Sequence, residues 1–226
     1  MEAAILKHIL NSQGSVNREE LEWNLDASLI AHIIASNEQF VNCSARGTER
    51  VVVRSGVRLC QDKMCSGCRG LHVCKKLLLT GDCLFQHTRR GCHFSHDLQS
   101  EDNMELLSEF GLQTLCRSEL SLLLLQSNNT LLPQICHDFN NRVSCQENCP
   151  RLHMCERYLH QDCSCPKNHN FCAPQPLRLL QEKHIPEHLF HLLRSVYANK
   201  EALRLADKAN RSRDGHAAPT QDGNSD

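Results

Sequence analysis

The apolar positions near the start of the chain recur at helical spacing. Ile5, Leu6, Ile9 and Leu10 make one stripe. Asn17 with Glu20 resembles a capping box ahead of Leu21 and Leu25. Asp26 stands where an N-cap belongs, before Leu29, Ile30, Ile33 and Ile34. Residues 39–42 and 50–54 then read as two strands around a polar turn. Three short helices and a hairpin predict a winged-helix-like domain over residues 1–56. Helical spacing returns at Met104, Leu106, Leu107 and Phe110, with Gly111 as the stop signal. Ser118 is the predicted cap of a helix over 119–126, whose run of leucines implies burial on several sides. Helices are also predicted over 177–184 and 187–197, with Pro186 at the start of the second. The leucine stripes are read as core rather than as a partner groove. The pattern stops near Arg204, and residues 206–226 are predicted to be a disordered tail.

Two stretches between these helices, 57–98 and 134–172, carry little hydrophobic period and most of the cysteine. The chain of 226 residues has 15 Cys and 14 His, against only 4% aromatic residues. So few aromatic anchors leave part of the stability to another source. Four sets share one closing step. Cys60, Cys65, Cys68 and His72 form C-x4-C-x2-C-x3-H. Cys74, Cys83, Cys92 and His96 form C-x8-C-x8-C-x3-H. Cys136, Cys145, Cys149 and His153 form C-x8-C-x3-C-x3-H. Cys155, Cys163, Cys165 and His169 form C-x7-C-x-C-x3-H. Structural zinc takes four tetrahedral thiolate or imidazole ligands, so each set has the donors for one Zn2+, four ions in all. In the fourth set Cys172 lies close enough in sequence to stand in for Cys165. Cys43, Cys116 and Cys172 fall outside the sets. An odd cysteine count argues against a fully paired disulfide framework, and the opening residues do not form a secretory signal. A reducing compartment follows.

The chain repeats itself. Leu71-His72-Val73-Cys74 matches Leu152-His153-Met154-Cys155, so the two fingers of each pair must touch. An offset of 73 carries Cys92 to Cys165, His96 to His169 and Leu112 to Ile185. The predicted fold is mainly α with small zinc-stabilised modules. The winged-helix-like domain precedes four CCCH fingers in two pairs, each pair followed by a helical hairpin. Fingers 1 and 2 occupy 57–98 and their hairpin 99–133; fingers 3 and 4 occupy 134–172 and the C-terminal helices 173–205.

Charge is uneven. Residues 46–90 hold ten Lys and Arg against three acids, whereas residues 1–45 hold two against six. With a net charge of −1, the chain is not a globally basic nucleic-acid binder. A polyanion is drawn to the face of the first two fingers alone. That face carries Arg58, Lys63, Arg69, Lys75, Lys76, Arg89 and Arg90, with the aromatics Phe85 and Phe94 and, beside Phe94, His93. An aromatic fixed beside a zinc ligand suits stacking on an unpaired base. Phe139 and Tyr158, each three residues after a first cysteine, are packing positions, and fingers 3 and 4 are read as architectural. No apolar run approaches the ~20 residues of a membrane span; residues 122–125 give a run of four. Four protein ligands per ion leave no open position for water, and consecutive sets do not suggest the interleaved ligands of a RING. The chain is therefore read as a binder, not an enzyme.

Several features coincide with one family. They are the two-plus-two fingers, the His-x-Cys junctions, the winged-helix-like start, and the stretch from Leu122-Leu123-Leu124-Leu125-Gln126-Ser127 to Leu132-Pro133-Gln134-Ile135-Cys136. Over residues 1–200 the chain resembles the N-terminal RNA-binding region of the zinc finger antiviral protein and the CCCH-finger poly(ADP-ribose) polymerases. That resemblance implies binding of single-stranded RNA, CpG selection in the second finger, recruitment of RNA-decay or ubiquitin-ligase proteins, and innate antiviral defence. It also implies a cytoplasmic location, with the nucleus as a second. Lys63, Lys75, Phe85, His93 and Phe94 match the family's RNA-contacting region. Asp82 and the stretch Asn128-Asn129-Thr130-Leu131 depart from the antiviral protein's pattern and point to a broader RNA preference. Polymerase relatives carry further domains that would make a longer parent chain an enzyme.

Overall fold

A computed structural model describes residues 1–24, 26–45, 48–141, 143–146 and 148–214. Leu25 and the tip of the expected polar turn lie outside these residues, as does the expected tail beyond Asp214. The first part of the chain comprises α1 (Glu2–Asn11), β1 (Ser15–Asn17), α2 (Arg18–Asn24), α3 (Ala27–Ser36), β2 (Phe40–Ala45) and β3 (Thr48–Val53). Ile5, Leu6, Ile9 and Leu10 are the buried face of α1. Asp26 caps α3, accepting from the backbone N–H groups of Ser28 at 2.9 Å and Leu29 at 3.1 Å. The strands form an antiparallel sheet in the order β1-β3-β2, with Ser15 opposite Val52 and Phe40 opposite Val53. Strand β1 is an addition to the expected hairpin. Three residues are too short for a period-two pattern to show.

Strand alternation gives this sheet two buried faces. Val51 and Val53 enter the main core with α1 and α3. Val52 and Cys43 point the other way, against Leu203. Leu203 belongs to α10 (Phe190–Asp214), the longest helix. This contact explains why α10 continues past residue 205, where the tail was expected to begin. Ala206 packs on the same patch, and Arg54 of the sheet pairs with Asp207 at 2.6 Å.

The remaining elements are α4 (Lys75–Thr80), α5 (Glu101–Glu109), α6 (Arg117–Ser127), α7 (His137–Asn140), α8 (Glu156–His160) and α9 (Pro174–Glu182). Short 3-10 turns cover Leu84–His87 and Glu187–Leu189. Helix α6 is the central strut: Leu120, Leu122, Leu123, Leu124 and Leu125 are all buried, with Ser121 and Gln126. It packs on α1, α4 and α10. Its N-cap is Cys116 rather than Ser118; Glu119 closes the capping box by accepting from the Cys116 N–H at 2.8 Å. Gln126 then ties three elements together. Its amide donates to the carbonyls of Gly14 and Val53 and accepts from Asn199 Nδ2 at 3.0 Å. Gly14 meets that amide closely at φ 84°, where any side chain would collide with it.

The repeat extends to the ends of helices. Helix α5 stops at Gly111, with φ 64°; α9 stops at His184, 73 positions later, with φ 55°. The next residues close the same bond, Leu112 N–H to Leu107 at 2.7 Å and Ile185 N–H to Leu180 at 2.9 Å. Only glycine adopts the left-handed region without a steric cost. His184→Gly is expected to raise the stability of the zinc-loaded protein by about 0.5–1 kcal/mol, read from thermal unfolding. No change, or a loss, would show that the His184 backbone carries no strain.

Candidate metal centres and the second-finger face

Each finger forms around a chain reversal that leaves its ligands on short turns. In finger 1, Leu59 and Leu71 form a parallel bridge, which brings Cys60 beside His72. In finger 3, Ile135 and Leu152 do the same for Cys136 and His153. Leu71 and Leu152 are fully buried, so the apolar residue before each histidine pins its finger to the core. The first cysteine of each second finger is tied to its closing loop: Cys74 N–H donates to Ser95 at 2.7 Å, and Cys155 N–H donates to Asn168 at 2.8 Å.

The ligand atoms of each of the four sets lie within 4.8 Å of one another. Zinc–sulfur bonds of about 2.3 Å at tetrahedral angles place two sulfurs about 3.8 Å apart, and a sulfur and an imidazole nitrogen about 3.5 Å apart. In finger 2, Cys74 Sγ lies 3.7 Å from both Cys83 and Cys92. In finger 3, Cys136 lies 3.6 Å from Cys145 and 3.8 Å from Cys149. In finger 1, His72 Nε2 is 3.4 Å from the sulfurs of Cys65 and Cys68. In finger 4, Cys155 lies 3.9 Å from Cys163 and 3.5 Å from Cys165, which is 3.5 Å from His169 Nε2. These spacings suit ligands sharing one ion and are far too long for disulfides. Among the described residues, buried His96 Nε2 and His153 Nε2 have no hydrogen-bond partner. A buried imidazole nitrogen aimed at three sulfurs is a metal ligand in waiting. Four zinc ions fit, one per cluster. Cys165 occupies the fourth set, while Cys172 is exposed and outside it.

Groups behind the ligands hold them in place. Asn103, on α5, accepts from the His72 N–H at 2.9 Å and donates to the carbonyls of His72 and Asp97. Gln175, on α9, accepts from the His153 N–H at 3.0 Å and donates to the carbonyl of Arg151 at 2.7 Å. Each helix that follows a finger pair thus clamps the first finger of that pair. Neither residue carried a sequence signal, because a lone amide in a helix has no motif. Phe139 stacks on His153 with ring centroids 4.8 Å apart, and Tyr158 stacks on His169 at 4.9 Å. Backbone N–H groups act on the sulfurs as well: those of Gly67 and Lys167 are the largest influences bringing the Cys65 and Cys165 thiols down to about 6.

The residues expected on a nucleic-acid face separate. Phe85 is 54% exposed and Leu84 67%, both on the 3-10 turn that follows Cys83. Lys76 Nζ sits 5.1 Å above the Phe85 ring. Arg89, Arg90 and His93 are exposed in the loop that follows, and Phe94 is half-buried. Lys75 differs from the expectation. Its ammonium turns inward and donates to the carbonyls of Leu131 at 3.2 Å and Lys183 at 2.6 Å. Burial, with Lys183 nearby, lowers its pKa to about 8. The helical period decides this: adjacent residues on α4 point about 100° apart, so Lys75 and Lys76 cannot share a face. Arg58 lies away from this face and lines a cavity against the C-terminal helix. Lys63 is exposed on finger 1, and Arg69 pairs with Glu109 at 2.9 Å.

Paired Cys3His clusters joined through a His-x-Cys step define a tandem CCCH zinc-finger protein. A family model described as PARP12-like CCCH zinc finger tandem matches residues 58–103. The chain is also 34% identical over 173 residues to mouse protein mono-ADP-ribosyltransferase PARP12, covering 69% of this chain and 24% of that protein. It is 33% identical over 218 residues to rat zinc finger CCCH-type antiviral protein 1, covering 88% of this chain and 28% of that protein. Mouse zinc finger CCCH-type antiviral protein 1-like matches at 29%, with 72% of this chain and 60% of that protein covered. The chain is thus a relative of the finger region of the antiviral protein and PARP12, and spans about a quarter of the length of the first two.

Proposed function

We propose that this chain is a zinc-dependent binder of single-stranded RNA, with the outer face of the second finger as its contact surface. The observation that carries the reading is the exposed Phe85 with Lys76 above it, in a turn anchored by Cys83 and followed by Arg89 and Arg90. An unpaired base gains about 1–3 kcal/mol by stacking on such a ring, and the cations track the backbone that carries it. The outward His93 presents a ring donor or acceptor to a base edge. Lys75 is left out of the surface, and its hydrogen bonds give it a positioning role between α4 and the two later segments. An antiviral role, recognition of CpG-bearing RNA, recruitment of RNA-decay or ubiquitin-ligase proteins and a cytoplasmic location follow the names and family of the relatives and form part of the same proposal. Each cluster supplies four protein ligands, which supports binding rather than catalysis by these fingers. Transfer of ADP-ribose, as the name of PARP12 states for that protein, would belong to a longer parent chain.

Fluorescence anisotropy with labelled single-stranded RNA tests the contact surface. Changing Lys76, Phe85, Arg89 and Arg90 together to Ala is expected to weaken binding at least 30-fold and to flatten its salt dependence. Lys75→Met is expected to leave affinity near wild type in zinc-loaded protein that remains folded. Unchanged affinity in the quadruple variant sinks the proposal.

A further inference from the structure

A cavity outside the second-finger face has a lining of its own. A cavity of about 770 Å³ opens between the sheet, the linker after α6, the start of finger 3 and the C-terminal helix. That volume is in the range of small-molecule pockets. Its apolar wall includes Leu132, Pro133, Ile135 and Leu159. Its charged wall is uneven in a particular way. Arg54 is neutralised by Asp207 at 2.6 Å and Arg204 by Glu201 at 2.6 Å. Arg58 and Lys200 have no such partner among the described residues. Arg58 Nη1 donates only to carbonyls, those of Ser55 at 3.2 Å and Val57 at 3.4 Å. Lys200 Nζ donates to the carbonyls of Leu125 and Asn128 and to Asn129 Oδ1 at 3.0 Å.

Lys200 is half-buried and Arg58 is near enough to repel its charge; burial first, then Arg58, brings its pKa to about 8. The three acceptors around Lys200 meet its N–H groups but leave its charge unneutralised, so two cations lining one cavity without a carboxylate partner attract an anion. The remaining carboxylates of the wall, Glu38 and Glu156, are exposed to solvent. We infer that this cavity binds a phosphate-bearing mononucleotide, with Arg58 and Lys200 holding the phosphate and the apolar wall receiving the base. Neither the zinc clusters nor the Phe85 surface contributes a residue to it. The ligand is a free nucleotide or the terminal nucleotide of an RNA, since both present the same phosphate, sugar and base.

Isothermal titration of the zinc-loaded full chain with AMP tests the inference. AMP is expected to bind at least tenfold more tightly than adenosine. Arg58→Gln with Lys200→Gln should remove that preference, and Arg58→Gln alone, at an exposed position that leaves the fold intact, should weaken AMP several-fold. Changing Lys76 and Phe85 to Ala should leave AMP binding unchanged, which separates this site from the proposed RNA face. Displacement of AMP by a 5′-phosphorylated pentanucleotide, but not by its 5′-hydroxyl form, would support the site and identify an RNA end as the source. Equal affinity for AMP and adenosine, or AMP binding that survives the double substitution, overturns the inference.

Discussion

Stripping zinc is expected to abolish the cooperative fold of the four fingers. Structural zinc contributes on the order of 10 kcal/mol per site in small modules, comparable to the whole stability of a typical domain. The dependence is strong here because the finger loops have little else. Leu84, Phe85, Met64 and Val143 on the finger loops are exposed, and contact with the core is left to residues beside the ligands and on the short helices, such as Leu59, Leu71, Leu78, Leu79, Leu152 and Leu159. Metal analysis of the purified chain should give four zinc per molecule. Cys136→Ser and Cys165→Ser should each give three, with a large drop in melting temperature. Cys116→Ser and Cys172→Ser should keep all four, because both thiols lie outside the clusters. If Cys172→Ser lowered the zinc content, or Cys165→Ser did not, the assignment of the fourth cluster would fail. The metal dependence should also steepen as pH falls, since protons compete for every thiolate and imidazole.

Gln126→Leu is expected to cost about 2–4 kcal/mol, the largest effect of a single change away from the clusters. The new side chain has nearly the same bulk, so little cavity forms. What is lost is the partner of the Val53 carbonyl and of one Asn199 donor, both in a dry interior. Part of each group's bonding survives: the Gly14 carbonyl still accepts from the Val53 N–H, and Asn199 still donates to the Gln13 carbonyl. Chemical denaturation should report the loss. Hydrogen exchange should show α10 separating from the sheet before the fingers open, because Gln126, through Asn199, is one of the ties between them. Stability within about 0.5 kcal/mol of wild type would mean that the amide network is dispensable.

The metal sites were legible because their chemistry is local. Cysteine and histidine three residues apart reach one ion on a single turn, and repetition of that step in four sets marks each closing pair. The apolar faces of α1 and α3 and the Asp26 cap were legible for the same reason: each depends on neighbours within one or two helical turns. The buried leucines of α6 declared a central helix, since no amphipathic surface helix is apolar all round. The cap of that helix lies two residues before Ser118, because Cys116 with Glu119 serves where serine is the commoner cap.

The rest came from contacts between segments far apart in the chain. Lys75 reads as one more cation of a basic cluster, but its ammonium bonds a carbonyl 108 positions away, and no local pattern encodes that partner. Helix α10 outruns its apolar pattern because the back of the sheet and Arg54, far earlier in the chain, give residues 203–207 something to hold. The Asn103 and Gln175 clamps and the Arg58–Lys200 cavity arise only when distant segments meet. Which residues grip the metal and where most helices lie can be read from spacing along the backbone. Which charges face water, which face each other and which are consumed by the fold depended on packing between segments tens to hundreds of residues apart.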